Sequence, residues 1–217
     1  MKGEKSKFKK DFNPEDSLND FIFHKHYNKN LSKKKFKNSL SPEEIERFDK
    51  IYSQTFPPEV QEAQMLFSKN SNQFNDFINF NNGIYHPAIG VKYGLSEKKY
   101  YDMKNNLDKS YDTLKEETIL YKGLPVSAKD ANLDILRNEK GYVSTSFDRA
   151  IAEEYAREEG ALLIMIAPPD TGGYYLRHYS KHPSHMEWTL SEDTCRTDFL
   201  KDVKNNVIYA DIKKIKK

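Results

Sequence analysis

Four kinds of side chain in the second half of this sequence can do chemistry, and each sits on or beside a predicted strand. Glu187, in His185-Met186-Glu187-Trp188, is a carboxylate that, if held rigidly away from water, can stabilise developing positive charge. His185 stands two residues earlier, so a regular strand projects both side chains from one face. A neutral imidazole there can accept a proton from a hydroxyl or a base nitrogen near neutral pH. Ser144 and Ser146, in Gly141-Tyr142-Val143-Ser144-Thr145-Ser146-Phe147, share a face by the two-residue period and supply short hydrogen-bond donors. Thr145 points to the opposite face and supports packing. Lys122, in Leu120-Tyr121-Lys122-Gly123, offers a compact charge on a flexible stem. Taken singly, each also has a plain reading: an edge-strand carboxylate, a loop histidine, an ordinary strand serine, a surface lysine.

Two rhythms in the sequence supply the elements that must position these groups. From Ser41 the pattern is helical: Ser41 caps, Pro42 suits the first position, and Glu44 completes a capping box before Ile45, Phe48 and Ile51. Pro57-Pro58 opens a second helix with Val60, Ala63 and Leu66 on one face, and 72–80 reads as a third, shorter one. The strongest helical pattern spans 96–115, where Tyr100, Met103, Leu107, Tyr111 and Leu114 recur at three and four. After Glu117 the period shortens, and strands are predicted at 118–124, 142–147, 161–167, 174–178, 186–190 and 206–212. Helices at about 128–137 and 148–158, the second capped by Asp148, interrupt them. Helices first and strands afterward predict an α+β fold. Pro168, Pro169, Gly172 and Gly173 mark a tight connection between two strands.

The chain's 217 residues suffice for one substantial domain, and 14 Tyr and 13 Phe supply much of its burial. The net charge of +2 hides an uneven distribution: residues 1–40 hold 11 Lys against 5 acidic residues, leaving the remainder net acidic. That segment, rich in Lys, Asn and Ser, reads as a flexible or partner-ordered arm. The domain division is therefore a 1–40 arm and a 41–217 domain, helical over 41–116 and mainly β over 117–217. Lys33-Lys34-Lys35 is either a solvated surface or a phosphate-binding contact for nucleic acid such as RNA. With Cys195 alone, no intrachain disulfide can form. No apolar signal core or run of transmembrane length is present, so a soluble, cytoplasmic protein without membrane contact is expected, with delivery by another machine left open.

Read in order, residues 100–212 carry a set that no single tripeptide would justify. A helix leads into Leu120-Tyr121-Lys122-Gly123; Ser144-Thr145-Ser146 follows, then a helix with Ala150, Ala152 and Ala156, and finally the strand bearing Glu187. This ordered set resembles the NAD-binding core of the ADP-ribosyltransferases, the bacterial exotoxin and phage-encoded members most. The resemblance implies helices packed on a split pair of small antiparallel sheets that form an NAD cleft. It implies that Glu187 is catalytic and binds the ribose 2′-hydroxyl, that Ser144 holds Glu187, and that Tyr121, Lys122, Gly123, Ser144, Thr145 and Ser146 bind NAD. Lys122 stands where the family has Arg, which replaces a planar fork of donors by a point charge. His185 stands where many members have Glu or Gln and would face the acceptor as a catalytic or recognition residue. The segment with Tyr175, Arg177 and Tyr179 is similar to the family's acceptor-recognition loop. No metal is expected, since His178, His182 and His185 lack a Cys or carboxylate pattern to complete a tetrahedral site.

The activity so implied is mono-ADP-ribosyl transfer from NAD to a macromolecule, protein in preference to RNA or DNA, by a bacterial toxin or phage effector. An antitoxin or inhibitor would be a natural partner. Three alternatives stay open: an NAD glycohydrolase toxin, a catalytically degenerate transferase fold serving as a binding module, and a nucleic-acid-binding protein with an accidental motif match.

Overall fold

The computed structural model describes residues 39–81, 96–138 and 141–215, with Pro87, Gly90 and Gly94 between the first two spans. Of the arm expected at 1–40, residues 1–38 lie outside the described residues, while Leu40 packs on the core and donates its N–H to Asp148 Oδ2 at 3.2 Å. Three helices come first: α1 (Pro42–Tyr52), α2 (Pro58–Asn81) and α3 (Glu97–Asp108). Then follow β1 (Asp112–Thr113), β2 (Thr118–Gly123), α4 (Leu133–Asn138), β3 (Val143–Ser146), α5 (Arg149–Ala156), β4 (Leu162–Ala167) and β5 (Gly172–Tyr175). Two single 3-10 turns, Arg177–Tyr179 and Pro183–His185, lead to β6 (Glu187–Leu190), β7 (Thr194–Asp202) and β8 (Val207–Lys214).

The expected α+β fold is the one observed. Its strands run in the order β1-β5-β6-β3-β2-β4-β8-β7, antiparallel at every step except the parallel pair β4–β8. One residue pair, Tyr121 with Ser146, joins β2 to β3. The eight strands thus divide into two four-stranded halves held together at a single register point, and the serine of that point belongs to the Ser-Thr-Ser tract.

Local chemistry explains the positioning elements. Ser41 and Glu44 form the reciprocal capping box, Glu44 N–H donating to Ser41 Oγ at 3.3 Å and Ser41 N–H to Glu44 Oε2 at 2.8 Å. The apolar side of α1 packs on the back of β3 and β6: Phe48 stacks on Phe147 with centroids 4.2 Å apart, and Tyr52 meets Trp188 edge-on at 5.2 Å. On the other side, α5 lies directly over the end of β2. A Cβ on Gly123 would sit 2.2 Å from the Ala152 carbonyl oxygen and 2.3 Å from Ala156 N, so this approach requires glycine. The α2–α3 pair encloses Phe67, Tyr100, Met103 and Leu107 against Tyr142 and Tyr174, whose hydroxyls both donate to Asp108 Oδ1 at 2.8 Å.

Several boundaries differ from the sequence-based expectation. The separate helix at 72–80 is the continuation of α2, which runs unbroken to Asn81. The helix expected over 96–115 stops at Asp108; β1 begins at Asp112, and Leu114 reaches the core through a loop whose N–H bonds the Thr171 carbonyl at 3.0 Å. Its apolar spacing matches a helix while the backbone has already changed course. The 128–137 helix starts only at Leu133, because the Asn132 side chain accepts from Asp134 N–H and Ile135 N–H and fixes the start there. Strands β1 and β7 were not expected. Gly172 and Gly173 lie inside β5 rather than in the turn before it, since Tyr111 and the Trp188 indole occupy the space a Cβ would need.

Candidate active site

The β3–β6 pairing builds the centre of the site. Ser144 lies opposite Thr189 and Ser146 opposite Glu187, so the strand pleat puts all four on one face. Thr145 and Trp188, paired on the other face, are buried in the core, and the Thr145 hydroxyl donates to the Trp188 carbonyl. Glu187 is thereby fixed from behind by a packed indole. In front, its carboxylate accepts a hydrogen bond from Thr189 Oγ1 at 2.9 Å and another from the Ser144 side chain. Burial pushes its pKa above the ordinary carboxylate value. The two hydroxyls, and then the charges of Lys122 and His182, act in the opposite direction without cancelling it.

Lys122 is therefore within electrostatic reach of Glu187, on the strand that joins the two halves of the sheet. Tyr121 is buried between β2 and α5, among Ala152, Leu162 and Ile164, and Gly123 gives α5 its close approach. Ser146 does not touch the carboxylate. Its Oγ donates to the His185 carbonyl at 2.6 Å and accepts from Asp148 N–H at 2.9 Å, tying the loop before β6 to the start of α5.

His185 is not part of the strand. It ends the Pro183–His185 turn, and Met186 adopts a left-handed conformation with φ of 48° before β6 begins. The regular alternation that would align His185 with Glu187 is broken at Met186. Its imidazole is instead placed by two rings: His182 stacks on it at 4.6 Å with planes 10° apart, and Tyr155 of α5 meets it edge-on at 5.5 Å. The Tyr155 hydroxyl lies 3.2 Å from His185 Nδ1. Burial, then the neighbouring His182, lowers the His185 pKa, with Glu154 pulling it back. Burial raises the Tyr155 pKa, and the charge of Glu187 adds to that.

The residues expected on an acceptor-recognition loop separate. Tyr175 is buried in the core with its hydroxyl donating to Asp49 Oδ1 at 2.7 Å, and Arg177 pairs with Asp49 Oδ2 at 2.7 Å. Both thus anchor the loop to α1. Tyr179 is half-buried, edge-on to Phe56 at 6.2 Å. His178 turns to Ser53 and Asp49, away from the His182–His185 stack. A groove of about 320 Å³ between α2 and α3, lined by Glu59, Glu62, Lys98 and Asp102 among others, contains none of these residues.

Solved structures with a similar fold include ADP-ribosyltransferases. An ADP-ribosyltransferase from Clostridium botulinum matches with a TM-score of 0.57 at 17% identity, over 83% of this chain and 99% of its own. A protein from S. aureus, solved with NAD, matches with a TM-score of 0.56 at 17% identity, over 82% and 98%. The fold is that of the mono-ADP-ribosyltransferases. Vis, the ADP-ribosyltransferase toxin of Vibrio splendidus solved with agmatine, gives 0.52 at 16% identity, over 83% and 88%. No family model matches the chain, and no curated protein matches it by sequence. Within this transferase fold, three contributors to the site do not stand out from the sequence. Thr189 is detectable in principle, being two residues beyond Glu187 on the same face. His182 reads from its spacing only as a metal-ligand candidate. Tyr155 leaves no signal, since nothing in a helix pattern says that its exposed side reaches a loop some thirty residues on.

Proposed function

We propose that this protein is a mono-ADP-ribosyltransferase that uses NAD and modifies a macromolecule, protein in preference to nucleic acid. The observation that carries this reading is Glu187: a half-buried carboxylate held by the Ser144 and Thr189 hydroxyls, with Lys122 in electrostatic range, inside a transferase fold. In the reaction the nicotinamide–ribose bond breaks and its electron pair leaves with nicotinamide. The anomeric carbon forms a bond to the acceptor atom, which gives up a proton. Positive charge on the sugar peaks between these events, and a fixed anion beside it lowers the barrier. Glu187 supplies that anion, Ser144 and Thr189 hold it in one orientation, and Lys122 balances pyrophosphate charge. The S. aureus structure with NAD supports the choice of co-substrate.

The test is incubation with NAD labelled in the adenylate, in bacterial lysate and separately in eukaryotic cytosol, with Glu187→Ala as control. Label on protease-sensitive material, at least about a hundredfold above the control, is the expected outcome. Free ADP-ribose without labelled macromolecule indicates the glycohydrolase instead. Intact NAD in every arm overturns the transferase reading and leaves a binding module on this fold.

A further inference from the structure

We propose that the N-terminal segment, through Phe21-Ile22-Phe23, docks on one face of β2, β4 and β8 and supplies the second layer that this half of the sheet needs. The register defines the face. Tyr121 lies opposite Ile164, Ile164 opposite Tyr209, and Ile166 opposite Asp211, so the pleat puts all five on one side. It is also the side of Ser146, which pairs with Tyr121 where the two halves join. Ile164, Ile166 and Tyr209 are each no more than 1% exposed. A sheet face without a layer over it leaves such side chains in water. Yet among the described residues the one member of this apolar cluster from another element is Ala152 of α5, which lies over the end of β2. The layer over β4 and β8 therefore comes from residues outside those described.

Tethering and length identify the occupant. The stretch between α2 and α3 is tied at both ends to a helix pair that packs on Tyr174 of β5, and β4 and β8 stand four and five strands away from β5. Reaching them and returning takes about 40 Å, nearly the whole extended length of residues 82–95. Residues 139–140 and 216–217 are too short to cover a face. Residues 1–38 end at the right place. Leu40 N–H bonds Asp148 Oδ2 at 3.2 Å, and Asp148 caps α5 directly beside Ser146. From there residues 24–39 span up to about 50 Å, several times the roughly 10 Å between β2 and β8. Phe21-Ile22-Phe23 is the densest apolar run in 1–38, too small for a core of its own but suited to closing one side of an existing sheet. Charge agrees with this choice. Asp211 is buried on the same face, and His24, Lys25 and His26 follow the apolar run, bringing donors to a carboxylate whose burial is otherwise costly.

Two measurements on the full chain decide it. In amide hydrogen exchange of the wild type, peptides covering 18–26 should exchange at least about tenfold more slowly than unstructured chain. Unprotected exchange throughout 1–38 overturns the docking. The second measurement locates the contact. A nitroxide on Asn19→Cys, in a Cys195→Ser background, should erase the methyl resonances of Ile164 and Ile166 and spare those of Met103 and Leu107 between α2 and α3. Sharp Ile164 and Ile166 methyls, or loss of all four signals alike, overturns the assignment. Mixing nitroxide-bearing chain with isotope-labelled chain that carries none should leave every methyl sharp. Loss of the Ile164 and Ile166 signals in that mixture makes a second copy the occupant and overturns docking within one chain. If the nitroxide variant does not fold, the wild-type exchange pattern still confirms or refutes an ordered layer at 18–26.

Discussion

Glu187 carries opposing demands. The proposed reaction uses its ionised form for charge stabilisation, yet burial raises its pKa above the ordinary carboxylate value. For a carboxylate with a raised folded pKa, the ionised form costs stability above that pKa, and the cost vanishes below the unfolded value of about 4.3. Glu187→Gln should therefore abolish transfer and raise the denaturant midpoint near about pH 8, with little gain near about pH 4. Equal gains at both values would show that the carboxylate is not strained by burial. Ser144 lowers the same pKa by donating to the carboxylate, so Ser144→Ala should move the acid limb of the kcat/KM profile to higher pH. An unmoved limb would mean that Thr189 alone sets it. The shared face of Ser144 and Ser146 was legible from the two-residue period, but their nearness to Glu187 was implied only by the resemblance, because pairing of β3 with β6 leaves no local mark. The placement of His185 on the Glu187 face was misjudged, because one left-handed residue, Met186, ends the strand alternation between them.

Among the elements, α5 links β2 to the loop before β6, since the stretch that lies on Gly123 also brings Tyr155 to His185. Gly123 sets that approach. Gly123→Ala should displace α5 and destabilise the fold by roughly 1–3 kcal/mol, as overpacking does. The chemical denaturation midpoint and the His185 ring shifts should move together. A stable variant with unchanged shifts would show that α5 can give way without disturbing the site. Helix α1 was readable to its cap, since Ser41, Pro42 and Glu44 act locally. The end of α3 was not, because Tyr111 and Leu114 continue a helical spacing while tertiary hydrogen bonds to the Thr171 segment take over the backbone. Strand β7 escaped notice for a related reason: its Thr-Cys-Arg-Thr-Asp tract is held by pairing with β8 rather than by its own apolar pattern.

For the whole molecule, the division of the sheet matters most. The half containing β4 and β8 is buried through Leu162–Ala167 and 207–212, whereas the half bearing Glu187 is short-stranded and reaches the other through one pair. Amide hydrogen exchange should be slowest in β4 and the buried part of β8, and β3 and β6 should open with smaller free energies. Uniform protection across all eight strands would contradict this. The α+β class was visible in the order of periodicities, but the strand order was not. Neighbours such as β1 with β5 and β4 with β8 are distant in sequence and leave no local mark.

Trp188 is the chain's only tryptophan, fully buried, with its indole wedged between Gly173 and the rings of Tyr52 and Phe147 directly behind Glu187. The protein therefore contains a built-in optical probe. Its emission should be blue-shifted, free of any second tryptophan's background, and sensitive to whatever displaces strand β6 when a ligand occupies the opposite face.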